Sequence, residues 1–370
     1  MSRARARARA LGLPLPAADL AQLRAKVRAL AENRPGTYRM LDATGAILYV
    51  GKAKRVRTRL LSYFRAEYPA EKASRILHAS HDIQWDYTPS EFSAYLGELR
   101  QIRRYRPRFN VTLNRTRRSV LIKVGGGPAP RVYVGAGVVP GDLRAYGPFR
   151  SLGRTIEAVR TLNDLLQLRD CAERMPIAFA GQGDLFGAPR SAACARHELG
   201  FCAGPCGGFV AEWDYRRRLD TAMAFLEGRT IQPIDRAVTA MSEASSAAQF
   251  ETATRWRDRF EQLEWLLAAT SRARSAIDLL TFVYRDPGAF GDDRAFVIHR
   301  GVVRAAFPYP NTPIEHEAFK SVVAEAADAR DEPAWPLPLD SIDEILLVMA
   351  WFRKHPEALR RTTPYDQWVG

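Results

Sequence analysis

The chain lacks any apolar run approaching the ~20 residues that a membrane span requires. Its composition, 46% hydrophobic and 26% charged over 370 residues, is that of a globular protein with room for two or three domains. Cysteine is scarce. Four in a chain of this length do not make a secreted disulfide scaffold, so a reducing cytoplasm and no membrane partner are expected. The N-terminus alternates Arg3, Arg5, Arg7 and Arg9 with alanine and has no apolar stretch of the secretory type, which predicts a disordered basic tail over 1–16. There are no internal repeats, no phosphate-binding P-loop and no dinucleotide-binding glycine pattern, which excludes solenoids and the common nucleotide-driven enzymes.

Acid is missing from one part of the chain only. Residues 1–120 hold 25 Lys/Arg against 9 Asp/Glu, a net of +16, whereas the other 250 hold 30 against 32. A genomic preference for arginine would spread it evenly without removing carboxylates. The localised excess points to a polyanion bound by the first third, since each neutralised phosphate releases counterions and adds affinity.

Apolar periodicity predicts an α/β (α+β) protein. A helix is expected over 17–33, with Asp19 near its start and Leu20, Leu23, Val27 and Leu30 on one face; Pro35-Gly36 stops it. Thr37–Leu41 and Ala46–Val50 read as a hairpin around Asp42-Ala43-Thr44-Gly45, followed by a basic helix over 55–64 and a strand over 81–88. Ser90 can cap a helix carrying Phe92, Tyr95, Leu96, Leu99 and Ile102, which ends before Pro107. The segment 17–112 is therefore read as a small domain with a short sheet and helices. Strands and a cysteine-rich segment occupy 113–232, a helical hairpin 233–270, and a small α/β region of unassigned role 271–370.

The chemistry-bearing pattern is Gly36-Thr37-Tyr38, then Tyr49-Val50-Gly51-Lys52-Ala53-Lys54, with Arg59 and Tyr63 at i and i+4 of the next helix. Phenols, a lysine and an arginine offer cations for the charge that develops in phosphodiester hydrolysis and a group to take a proton from water. Glu98 follows, twelve residues before Asn110, which closes the segment Arg106-Pro107-Arg108-Phe109-Asn110. Taken singly, each residue reads as packing or solvation; order and spacing preserved across 75 residues do not.

Together these residues resemble the GIY-YIG signature of the UvrC/Cho-like endonuclease family. The resemblance implies Tyr49 as general base, Glu98 as the sole protein ligand of Mg²⁺ or Mn²⁺, and Arg59 as transition-state stabiliser. Tyr38, Lys52, Tyr63 and Asn110 would orient water and phosphate. One carboxylate suffices for Mg²⁺, which keeps several waters and uses phosphate oxygens. Lys52, Lys54, Arg55, Arg57, Arg106 and Arg108 are the expected DNA contacts. Cys171, Cys194, Cys202 and Cys206 resemble the cysteine-rich segment of UvrC, which implies a [4Fe–4S] cluster; four thiolates also suit Zn²⁺. The spacing between the first two cysteines is longer than in that family. Phe250, Glu251, Trp256, Arg257 and Asp258 resemble the UVR helical hairpin that meets UvrB. Gln182, Leu185 and Phe186 resemble a peptide that docks on the bacterial sliding clamp.

The resemblance fades after about 270 and leaves no room for the RNase H-like nuclease and helix-hairpin-helix modules of UvrC. It implies a cytoplasmic, metal-dependent endonuclease of nucleotide excision repair, cutting damaged double-stranded DNA on the 3′ side of a lesion with UvrB and the UvrA–UvrB complex. Two rival readings are a non-catalytic repair adaptor, which has no need of Tyr38, Tyr49, Arg59 and Glu98, and a structure-specific GIY-YIG nuclease outside excision repair.

Overall fold

The computed structural model describes residues 19–110, 119–181, 194–328 and 335–369. The chain divides into two compact units, one of Met1–Leu113, Leu280–Arg330 and Asp343–Gly370, the other of Asn114–Leu279 and Asp331–Ile342.

In the first unit, α1 (Leu20–Leu30) starts where the Asp19 carboxylate accepts the Gln22 N–H at 2.9 Å, and it buries Leu23 and Val27. β1 (Gly36–Leu41) and β2 (Ile47–Ala53) form the expected antiparallel hairpin. The Asp42 carboxylate closes its turn by accepting from the N–H groups of Thr44 and Ala46. After α2 (Val56–Tyr63) comes α3 (Lys72–His78), seven residues too short to register as a periodic pattern. β3 (Asp82–Tyr87) pairs with the other side of β1, so β2 is an outer strand in the order β2-β1-β3. α4 (Glu91–Tyr105) is capped by Ser90 and ends at Arg106, in the left-handed region at φ 42° just before Pro107.

Strand alternation divides this sheet's side chains between two faces. Tyr38, Met40, Ala53 and Ile83 share a core with Leu23 and Val27 of α1 and Val56, Leu60 and Tyr63 of α2. Met40, Leu60 and Val27 are fully buried, each contributing roughly 1.5–3 kcal/mol of apolar transfer. The opposite face, with Thr37 and Lys52, receives α4. A Cβ added to Gly97 would stand 3.1 Å from Thr37 Cγ2, and Gln101 Nε2 donates to Thr37 Oγ1 at 2.9 Å.

The second unit opens with a sheet in the order β5-β4-β6, built from β4 (Val120–Gly125), β5 (Val132–Ala136) and β6 (Asp142–Phe149). α5 (Leu152–Leu166) is tied to it by Asn163 Nδ2, which donates to Val132 O at 2.9 Å. Short α6 (Ala195–Glu198) lies in the cysteine segment and α7 (Glu212–Leu226) follows. α8 (Gln232–Ser246) and α9 (Phe250–Asp278) form the predicted helical hairpin, with α9 extending beyond 270. No described helix is long and apolar enough to cross a membrane.

The chain then returns to the first unit. β7 (Phe282–Asp286), β8 (Arg294–His299) and β9 (Val302–Pro308) form a sheet whose other edge is β10 (Thr362–Thr363). α10 (Pro313–Asp328), α11 (Ile342–Lys354) and α12 (Asp366–Val369) complete it. Sequence periodicity gives 271–370 the look of a region apart. In the fold, Phe92, Leu96 and Leu99 of α4 share one core with Phe282, Tyr284, Phe296 and Ile298 of this sheet and Phe352 of α11. Ser90 and Ser93 at the start of α4 donate to the buried carboxylate of Asp286. The apolar stripe on α4 marks a buried face, and only the tertiary fold supplies what covers it.

Candidate active site and cysteine cluster

Tyr38, Tyr49, Arg59 and Tyr63 come together on the α2 side of the first sheet. Tyr38 and Tyr63 hydroxyls lie 2.9 Å apart, and Arg59 Nε donates to Tyr38 Oη at 3.3 Å. The three rings form a triangle with centroid separations of 6.2, 6.0 and 6.3 Å. The Arg59 guanidinium carbon is 5.1 Å from the Tyr63 ring centre. The glycines of the signature have a steric reason. A Cβ on Gly51 would lie 2.4 Å from both Cζ and Oη of Tyr38, and one on Gly36 would lie 2.4 Å from the Asp86 carbonyl oxygen.

Environment separates the three phenols. Tyr38 and Tyr63 are buried, and burial pushes both hydroxyls far above the usual tyrosine range. They therefore stay neutral and act as hydrogen-bonding groups. Tyr49 is half-buried, the most accessible ring of the three. Partial burial opposes the Arg59 charge, but the Nε–H bond to Tyr38 Oη and the contact with the Tyr63 ring keep the guanidinium charged.

Lys52 departs from the single cluster expected from the sequence. It pairs with Thr37 rather than Tyr38, so alternation sends its side chain to the α4 face, where Nζ stands 3.3 Å from the Tyr95 ring centre. Glu98 lies on the same helix, three residues after Tyr95 and half-buried. Among the described residues no three His, Cys, Asp or Glu side chains gather as a metal site, so a cation at Glu98 would complete its shell with water and phosphate oxygens.

Asn110 is bonded to β2. Its Oδ1 accepts the Val50 N–H and its Nδ2 donates to Val50 O, both at 2.8 Å, while the Phe109 N–H donates to Leu48 O at 3.0 Å. Both ends of the amide are occupied by the outer edge of β2, so Asn110 fixes the strand that carries Tyr49 and Gly51. Lys54, Arg55, Arg57, Arg106 and Arg108 are all exposed. Tyr95, which reads from sequence as one more residue of an apolar face, is the contact that sequence reasoning missed; its spacing of three from Glu98 was the available signal.

In the second unit Cys171, Cys194, Cys202 and Cys206 line one cavity of about 50 Å³ together with Arg169 and His197. All four are free thiols. Burial first, then the neighbouring cysteines, push the Cys202 and Cys206 thiols up. Arg169 Nη1 donates to Cys171 Sγ and the Gly204 N–H to Cys202 Sγ, each at 3.4 Å. The four sulfurs thus share one cavity with N–H donors at two of them, and among the described residues no three His, Cys, Asp or Glu side chains are grouped as a metal site. On the hairpin, Phe250 is 70% exposed, Glu251, Arg257 and Asp258 are exposed and Trp256 is half-buried. The Arg259 guanidinium stacks 4.5 Å from the Trp256 ring centre. Gln182, Leu185 and Phe186 lie outside the described residues.

The UvrC-like GIY-YIG domain matches residues 34–111, and the middle domain of UvrC/Cho excinucleases matches 120–225. Two successive segments of the chain are therefore similar to the first and middle domains of UvrC/Cho-like proteins. UvrABC system protein C of Pseudoalteromonas atlantica is 29% identical over 303 residues, 79% of this chain and 47% of that protein. Its counterpart from Alkalilimnicola ehrlichii is 34% identical over 65% of this chain and 38% of its own length. The chain thus spans between about a third and a half of these curated relatives. A crystal structure of the GIY-YIG N-terminal endonuclease domain of UvrC from Thermotoga maritima, bound to its catalytic magnesium, is 34% identical. It covers 24% of this chain and 97% of its own, with a TM-score of 0.22. Both matched segments end before α8, so the hairpin and the sheet that covers α4 lie outside them.

Proposed function

We propose that this chain is a cytoplasmic, divalent-metal-dependent DNA endonuclease of the excision-repair type, which opens one phosphodiester bond on the 3′ side of a lesion together with UvrB and the UvrA–UvrB complex. The observation that carries this reading is the cluster of three phenols and one guanidinium packed over Gly51, on the outer strand of the sheet. A phosphodiester is met from the α2 face of β2 by Tyr49 and Arg59, and Lys52 stands on the other face of the same strand. Tyr49, the accessible phenol, takes the proton from the attacking water; Tyr38 and Tyr63, neutral by burial, hold it and Arg59 in register. Arg59 and Lys52 meet the negative charge that builds on the phosphate oxygens. Mg²⁺ or Mn²⁺ held by Glu98 would supply Lewis-acid polarisation of the phosphate. The exposed Lys54, Arg55, Arg57, Arg106 and Arg108 bind neighbouring phosphates.

The test is incision of an end-labelled duplex with a single lesion, with and without UvrA and UvrB, in Mg²⁺ and in Mn²⁺. A metal-dependent nick 3′ of the lesion is expected, and intact DNA under every condition refutes the reading. Cys171, Cys194, Cys202 and Cys206 would hold a [4Fe–4S] cluster, with Zn²⁺ as the alternative occupant. Iron and sulfide in anaerobically purified protein support the first, stoichiometric zinc the second, and neither metal rejects both. The exposed Phe250 and its neighbours on α9 are proposed to meet UvrB. The segment with Gln182, Leu185 and Phe186 is proposed, on its sequence alone, to meet the sliding clamp. Unchanged clamp affinity after replacing those three by alanine retires the latter.

A further inference from the structure

We propose that Tyr95 is a positioning residue for Lys52, and that α11 sets it in place through Trp351. The inference rests on the reading of Lys52 as part of the phosphodiester-cleaving site. Lysine is a flexible point charge on a four-carbon stem, so holding its ammonium at one location costs rotamer entropy. The face of an aromatic ring carries partial negative charge and attracts an ammonium without neutralising it. Lys52 Nζ stands 3.3 Å from the Tyr95 ring centre, a distance at which the ring supplies that attraction. A carboxylate there would compete with DNA for the lysine; an aromatic face holds it and leaves its N–H donors for a phosphate.

The ring is itself held. Tyr95 meets Trp351 edge-on, with centroids 5.7 Å apart and planes at 64°. Trp351 in turn packs 5.2 Å from Phe92, which is fully buried. Tyr95 and Glu98, at i and i+3, stand on neighbouring positions of α4, so one helix carries both the platform for the ammonium and the carboxylate for the cation. Trp351 comes from α11, beyond both matched family segments. The closing sheet and helices thus act on the nuclease site as well as covering α4: they fix the orientation of the ring under Lys52.

The test replaces Tyr95 in the full chain by phenylalanine and by its mono-, di- and trifluorinated forms, which keep ring size and progressively remove the negative face. Single-turnover nicking should be within about twofold of wild type for phenylalanine. It should fall stepwise to about tenfold lower for the trifluoro ring, as for Tyr95→Leu, while KM for DNA and thermal stability stay unchanged. In a Lys52→Ala background the same series should be flat. Independently of turnover, ¹³Cε labelling of the chain's seven lysines should show upfield ring-current shifts of the Lys52 ε-methylene protons that Tyr95→Leu removes. Normal ε-methylene shifts overturn the contact. A flat fluorination series alongside a lost rate in Lys52→Ala overturns the positioning role. A wild-type rate in Lys52→Ala overturns instead the reading of Lys52, and with it the place of Tyr95 in the reaction.

Discussion

Gly51→Ala is the substitution that probes the signature most directly. The added methyl would stand 2.4 Å from Cζ and from Oη of Tyr38, whereas carbon contacts settle at about 3.5–4.0 Å. The Tyr38 ring must therefore retreat by about 1 Å. It is buried on all sides, so the retreat overpacks the core shared by α1 and α2, at roughly 1–3 kcal/mol. The Arg59 bond, already 3.3 Å, is lost outright, and the 2.9 Å contact with Tyr63 is stretched beyond use. At about 1 kcal/mol for each such bond, the total with the overpacking comes to roughly 3–5 kcal/mol. A 1 Å misplacement of the catalytic group should also lower single-turnover nicking by roughly 10²-fold. Urea unfolding of wild type, Gly51→Ala, Tyr38→Leu and the double variant closes a cycle in which leucine removes the clashing atoms. Gly51→Ala should then cost less than about 1 kcal/mol in the Tyr38→Leu background, because little remains to overpack. Equal costs in both backgrounds would mean that Gly51 is not there to admit Tyr38, and the steric account of the motif fails.

Glu98→Ala should abolish metal-dependent nicking while DNA affinity, measured by anisotropy, stays close to wild type; nicking near the wild-type rate in Mn²⁺ removes Glu98 from the metal site. Tyr49→Phe should lower the single-turnover rate by roughly 10²–10⁴-fold with an unchanged circular dichroism spectrum, and a rate within threefold of wild type excludes Tyr49 as base. Burial pushes the Asp286 carboxyl up to about 6, so the folded state holds its proton over a range where the unfolded chain has released it. Asp286 therefore contributes stability fully present below about pH 4 that is lost as pH rises through about 6. Asp286→Asn should flatten that decline in urea midpoints between pH 4 and 6.5, whereas an identical slope in the variant assigns the decline to other groups.

Several elements were legible because their determinants are local. Asp19 and Ser90 cap helices through bonds to residues three positions on, and Asp42 closes a turn with atoms two and four residues away. The Tyr38, Tyr49, Arg59 and Tyr63 grouping follows from strand alternation and helical i, i+4 spacing on adjoining elements. Lys52 did not yield to the same logic, since the pleat that unites Tyr38 with Gly51 sends a neighbour one residue further along to the other face.

The sequence by itself determined the order and spacing of the signature, the glycines at its close approaches, the basic first third and nearly every helix and strand, because each depends on a few neighbouring residues or on bulk charge. Tertiary structure alone decided three things. It joined 280–330 and 343–370 to the first unit, through contacts such as Ser90 with Asp286, 196 positions apart. It tied the Asn110 amide to the backbone of Val50, sixty positions away. It set Tyr95 between Lys52 and Trp351. An apolar stripe encodes that a face will be buried, but its partner is chosen by shape and closure over the whole chain, which no local pattern records.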